Sequence, residues 1–156
     1  MEIKDKIYDL NILSKMVDIW KYKNKKIVFT NGCFDILHKG HVEYLNKAKK
    51  LGDILIVGLN SDDSVKKLKG EKRPINNNDS RAVILASLFF VDAVVIFNDE
   101  TPLNLIKMIL PDILVKGGDY IPENIVGYDE VKKNGGETVT INLVDGYSTT
   151  KIINKL

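Results

Sequence analysis

IVFTNGCFDILHKGH, residues 27–41, passes from a short apolar run through a polar turn into the opening of a helix. Ile27 to Thr30 has the β-branched and aromatic content of a buried strand. From Gly40 to Leu51 the pattern is helical, and Gly52 follows where a left-handed cap is wanted. The alternation repeats downstream. ILIVGL, residues 54–59, is a second strand, after which Asn60, Ser61 and Asp62 cap a short helix carrying Val65 and Leu68. A polar loop at 70–78 precedes an apolar helix from about Asp79 to Phe90 and a third strand, AVVIF. Thr101-Pro102 opens a helix with proline at its first position, and Pro111 stops it. DILV is a fourth strand, GETVTINL holds a fifth, and a last short helix begins near Ser148. Upstream, Leu13, Met16, Val17 and Trp20 recur at helical spacing, predicting an amphipathic helix over 9–22. Continuous apolar strands alternating with helices predict a parallel sheet covered on both faces. The expected fold is α/β: one doubly wound domain over 1–156, with a core at 25–156 and about five parallel strands.

Composition narrows the function classes. At 156 residues, 44% apolar and 28% charged, the chain is the size and character of one globular domain. A formal charge of +2 argues against a protein built to grip nucleic acid or an acidic membrane. One cysteine allows no intramolecular disulfide, as expected in a reducing compartment. The first ten residues, MEIKDKIYDL, lack a signal-peptide core, and the apolar stretch at 82–91 is too short to cross a bilayer. A cytoplasmic protein with no nucleic-acid or membrane partner is expected.

In doubly wound sheets, ligands bind beyond the carboxyl ends of the strands. That rule points to Asn31-Gly32-Cys33-Phe34-Asp35 and the helix start behind it. Gly32 is read as permitting a sharp turn, and Gly40 as letting a ligand approach the first helical turn. A helix start offers free N–H groups and a positive dipole end to an anion. His38 and His41, three apart, can aim ring N–H groups at one phosphate. Neither G-x-G-x-x-G nor G-x-x-x-x-G-K-[ST] is present, which disfavours dinucleotide oxidoreductases and P-loop NTPases.

Ordinary structural roles are open to the same residues. One histidine could cap the helix while the other is exposed, and a zinc site would lack companions, because Cys33 and Asp35 lie too close in sequence. No metal-ligand set is predicted. Asp35 either bonds loop amides or meets a sugar hydroxyl or magnesium, and Cys33 is a small filler. Lys69, Lys72 and Arg73 belong to a basic loop, either solvated or closing over phosphates. Arg81 either tethers a carboxylate or reaches a triphosphate.

F-D-x-x-H-x-G-H after the first strand resembles the signature of the nucleotidyltransferase superfamily that includes cytidylyltransferases. Ser148-Thr149-Thr150-Lys151-Ile152 resembles that family's second signature. TNGCFDILHKGH, NSD at 60–62, LKGEKRP, LPDILVKGGDY and DGYSTTKII together resemble its heptose 1-phosphate adenylyltransferase branch. Leu143, where glycerol-phosphate cytidylyltransferases carry arginine, points the same way, as do Lys116 and Gly118. The resemblance implies a Rossmann-like fold and transfer of an adenylyl group from ATP, with Mg2+ or Mn2+, to a sugar 1-phosphate. A CTP-dependent transferase and a nucleotide-sensing module are the rival readings. His38, His41 and Lys116 would be catalytic. Asn31, Gly32, Cys33, Phe34, Gly40, Arg81, Gly117, Ser148, Thr149 and Thr150 would join them around the nucleotide. Asp35, Lys69, Lys72, Arg73 and Asp119 would bind the acceptor. A homodimer, and a sugar kinase on a separate chain, are the expected partners.

Overall fold

The computed structural model describes residues 1–156. Its elements run β1 (Ile7–Tyr8), α1 (Leu10–Tyr22), β2 (Ile27–Gly32), α2 (Lys39–Lys49), β3 (Ile54–Asn60), α3 (Asp62–Lys69) and α4 (Asn78–Ser87). Then follow β4 (Ala93–Phe97), α5 (Leu103–Ile109), β5 (Ile113–Gly117), α6 (Tyr128–Lys133), β6 (Glu137–Ile141) and α7 (Thr149–Ile153). All strand pairs are parallel, in the order β1-β4-β3-β2-β5-β6.

The strands are apolar on both faces because helices cover both. On one face α2 and α4 bury Leu45, Ala48, Leu85 and Ala86 against Val28, Leu55, Val57 and Val94. On the other, α1, α5 and α6 bury Leu13, Val17, Ile106, Ile109 and Val131 against Ile27, Phe29, Ile56 and Leu114. Burial of such side chains, about 1.5–3 kcal/mol each, is what holds the layers together.

All five expected strands are present, with a sixth the sequence did not disclose. β1 is two residues long, too short for any periodicity, and it joins the edge through Val94 and Val95. The six-residue α6 escaped notice for the same reason. The apolar helix ends at Ser87, short of Phe90, and Pro102 is the N-cap of α5, one position before the helix. Gly52 is not a left-handed cap. A Cβ there would lie 2.7 Å from Val28 Cγ2 and 2.8 Å from the Lys26 carbonyl, so glycine is needed for close packing on β2.

From β2 the chain moves to β3 and β4 on one side, then crosses to β5 and β6 on the other. The order therefore reverses between β2 and β5, which is where an open α/β sheet leaves its crevice. His38 and His41 follow β2, and Lys116 and Gly117 end β5, so both groups sit at that crevice.

Candidate active site

A cleft of about 760 Å³ opens at the carboxyl ends of β2, β3 and β5. Into it come Asn31, Gly32, Cys33, Phe34 and Asp35 from the end of β2, with His38, Gly40 and His41 from the start of α2. Lys69 enters from the last turn of α3 and Arg73 from the loop behind it, Lys116 and Gly117 from β5, and Ser148, Thr149 and Thr150 from the start of α7. Three expected residues do not line it: Arg81, Lys72 and Asp119.

The turn is built differently from the sequence reading. Gly32 remains in β2, paired with Leu59, and the turn falls to Phe34, whose φ of 43° is left-handed. Such a conformation is strained for phenylalanine and persists because its neighbours fix it. A Cβ on Gly32 would lie 2.9 Å from the Phe34 ring, so glycine makes room for that ring. Phe34 in turn meets the His41 ring edge-on at 5.2 Å. Gly40 serves the chain's own side chains as well: a Cβ would lie 3.0 Å from the His38 ring and 3.2 Å from Tyr147 Cβ.

His38 and His41 stack with ring centroids 3.7 Å apart. The His38 backbone N–H donates to His41 Nδ1 at 3.3 Å. A neutral His41 therefore carries its proton on Nε2, free to donate. Burial, then the neighbouring His38, push the His41 pKa from 6.5 down to about 4; burial also lowers that of His38. Both rings are neutral donors at pH 7. His38 Nδ1 is buried without a hydrogen-bond partner, a cost native structures seldom carry.

This has a consequence for stability. Between pH 6.5 and about 4 the unfolded chain protonates His41 while the folded chain does not. Its contribution is complete above pH 6.5 and is lost as pH falls toward 4. The melting temperature is expected to drop across that window, and less steeply in His41→Gln. Equal slopes for parent and variant would show that His41 is not the group responsible.

Asp35 is 2% exposed and its carboxylate is fully committed. Arg73 Nε donates to it at 2.6 Å, and the backbone N–H groups of Ile75 and Asn76 donate at 2.8–3.0 Å. Burial works to raise its pKa, but these hydrogen bonds outweigh it and hold the carboxyl below its ordinary value. Of the two readings, amide bonding is the one formed: Asp35 pins the 70–77 loop, and Arg73 is spent on the same task. Arg81 is likewise a tether and not a contact for the nucleotide. Its guanidinium is buried and donates to the carbonyls of Cys33, Asn60 and Asn76 and to Asp62 Oδ1.

Burial pushes the Cys33 thiol up, so it is no thiolate nucleophile, in keeping with the filler reading. Ser148 Oγ accepts the Lys151 N–H as helix cap, and the Thr149 hydroxyl donates to the Ile36 carbonyl at 3.3 Å, fastening α7 beside the His38 turn. Lys116 Nζ lies 5.3 Å from the Tyr120 ring centroid. Gly117 leaves no open space, because a Cβ there would meet Leu143 at 2.9 Å and Tyr44 at 3.1 Å.

Several lining residues were not foreseen: Tyr44, Glu100, Thr101, Tyr120 and Tyr147. Tyr44 is buried and its hydroxyl shares a 2.6 Å hydrogen bond with Thr30, bridging α2 to β2; burial pushes its pKa up to about 12. Its place on α2, three residues past His41, was the available signal. No three His, Cys, Asp or Glu side chains converge to hold a metal ion. Asp35, one of the carboxylates of the cleft, is already taken up by Arg73 and the loop amides.

A crevice at the switch point, with a histidine pair on one helix start and a Ser/Thr-opened helix fastened beside it, defines a nucleotidyltransferase. The cytidylyltransferase-like family model matches residues 29–155, and the chain belongs to that family. It is 56% identical over 151 residues to the bifunctional protein HldE of Geobacter metallireducens, covering 97% of this chain and 31% of the relative. It is 59% identical over 136 residues to bifunctional protein HldE of Haemophilus influenzae, covering 87% and 29%. The chain thus spans about a third of the length of these curated relatives. Among solved structures, it resembles the lipopolysaccharide core biosynthesis protein from Thermoplasma volcanium, with a TM-score of 0.62 at 28% identity. That match covers 80% of this chain and 99% of the other. No helix is long and apolar enough to cross a membrane.

Proposed function

We propose that this chain transfers the adenylyl group of ATP to a sugar 1-phosphate, with D-glycero-β-D-manno-heptose 1-phosphate as acceptor. A phosphate oxygen of the acceptor attacks the α-phosphorus of ATP, the bond to the β-phosphate oxygen breaks, and ADP-heptose and pyrophosphate result. The observation that carries this reading is the stacked, neutral His38–His41 pair at the switch-point crevice. A phosphate monoester has a second pKa of about 6, so the nucleophile is already ionised at neutral pH. No general base is required, and the site holds no free carboxylate–histidine pair to act as one. Its task is to align two anions and stabilise charge spreading over the α-phosphate oxygens.

Neutral imidazoles can serve that task as hydrogen-bond donors, His41 from its Nε2–H, because its Nδ1 accepts the His38 N–H. Lys116 supplies the fixed positive charge, and Lys69 meets the acceptor phosphate. The backbone N–H groups at the start of α7 and the Thr150 hydroxyl receive the outgoing phosphates. A divalent ion enters as the counter-ion of the triphosphate, part of the substrate. The likeness to the Thermoplasma volcanium lipopolysaccharide core biosynthesis protein favours a sugar of that kind of glycan as acceptor.

Pyrophosphate release, measured with each nucleotide and a panel of sugar 1-phosphates, tests the reading. ATP with heptose 1-phosphate and magnesium should turn over at least tenfold faster than CTP with any polyol phosphate. Chelation should abolish activity, and added magnesium should restore it. Better turnover with CTP and glycerol or alditol phosphate would overturn the assignment; nucleotide binding with no turnover on any acceptor would favour a sensor.

A further inference from the structure

The acids lining the main cleft are Asp35 and Glu100. Asp35 is neutralised by Arg73 and two backbone amides. Glu100, on the loop between β4 and α5, makes no ion pair and its carboxylate accepts no hydrogen bond. In a cleft that must admit two polyanions, an unpaired carboxylate repels the ligands. It also borders a second pocket of about 260 Å³ between α3 and the β4–α5 loop, which shares Leu68, Glu100 and Thr101 with the main cleft. Ser64, Lys67 and Asn98 complete its wall, so five of its six lining residues are polar. The Asn98 side-chain oxygen accepts from the Ser61 hydroxyl, which leaves its NH₂ group to donate outward.

We infer that this side pocket is the subsite for the hydroxyl-bearing tail of the acceptor, with Glu100 accepting hydrogen bonds from its hydroxyls. The inference rests on the sugar-phosphate reading above. A polyol offers what the pocket lacks and lacks what it would repel. Its O–H groups donate to the carboxylate, its oxygens accept from Asn98 and Lys67, and its C–H face meets Leu68. Glu100 also sorts the two substrates, because it disfavours phosphate at this end and leaves phosphates to the histidines, Lys69, Lys116 and α7. The seventh carbon and its hydroxyl, which distinguish heptose from mannose, are the groups assigned to this side pocket.

Steady-state kinetics of the full chain with ATP separate the possibilities, using heptose 1-phosphate and β-D-mannose 1-phosphate as acceptors for the parent, Glu100→Gln and Asn98→Ala. Losing a charged acceptor for a hydroxyl should raise KM for heptose 1-phosphate about 10- to 100-fold in Glu100→Gln. KM for ATP should stay within twofold, and the mannose reaction should change little, so the preference for heptose collapses. Asn98→Ala should move the same ratio in the same direction. Because Glu100 is exposed, the variant is expected to fold, and its melting temperature checks this. Equal effects on both sugars, or none on either, would overturn the subsite while leaving adenylyl transfer intact. A rise in KM for ATP instead would reassign Glu100 to the nucleotide or its metal and equally overturn it. Failure of the parent to use either sugar would remove the function reading and the subsite with it.

Discussion

Replacing His41 by alanine is expected to lower kcat by about 10²–10³ and leave the KM for ATP within a few-fold. A donor aimed at charge that develops only in the transition state contributes little to ground-state binding, so its loss falls on turnover. His41 is placed for this by three contacts: the Phe34 edge, the His38 face, and the His38 N–H on Nδ1. The last of these also occupies the helix start, so alanine removes a cap and should cost about 1 kcal/mol of stability. His41→Gln keeps a side-chain donor and most of the volume, and should recover stability more than rate. Lys69→Ala provides the contrast. Lys69 is exposed at the C-terminal end of α3, so its loss should mainly raise the KM for the acceptor. Rate and melting temperature are read on the same preparations. A His41→Ala protein that melts early yet turns over normally per folded molecule would reduce His41 to a packing residue.

Much of this site could be read along the chain because its parts are local. The strand–turn–helix of 27–41 announces itself by apolar content, glycine and histidine spacing, and the switch-point rule places it at a crevice. What could not be read are the relations between distant segments. Gly32 looked like a turn residue because glycine usually is; only the fold shows that the Phe34 ring occupies the space beside it. Asp35 meets Ile75 and Asn76 across forty residues, and no local pattern encodes that contact. Glu100 and Tyr44 lie in stretches that read as an ordinary loop and an ordinary helix. Composition does mark two of the residues that make such contacts. The chain has 21 lysines and only two arginines, Arg73 and Arg81. Both hold a carboxylate at the base of the site, where a planar guanidinium fork can bridge several acceptors and an ammonium cannot.

Arg81→Ala is accordingly expected to be the most destabilising single change at the site, at about 3–5 kcal/mol. The guanidinium is inaccessible to solvent, and four of its N–H groups reach partners on separate segments. The Cys33 carbonyl lies on the β2–α2 turn, the Asn60 carbonyl ends β3, and the Asn76 carbonyl closes the loop before α4. Alanine would strand these acceptors and leave a cavity the size of the side chain. Asp62, whose side chain is about a third exposed, can recover water, so the carbonyls carry most of the penalty. For a domain of this size the loss corresponds to a fall in melting temperature of about 10–15 °C. Arg81→Lys should fall between, because a single ammonium reaches one or two of the four acceptors. The exposed Lys39–Glu43 pair at 3.5 Å sets the scale for an ordinary ion pair, and Glu43→Gln should cost less than 1 kcal/mol. Chemical denaturation of the three variants ranks them directly. If Arg81→Ala unfolds at the parent's midpoint, the tether linking these three segments is not what holds the floor of the cleft.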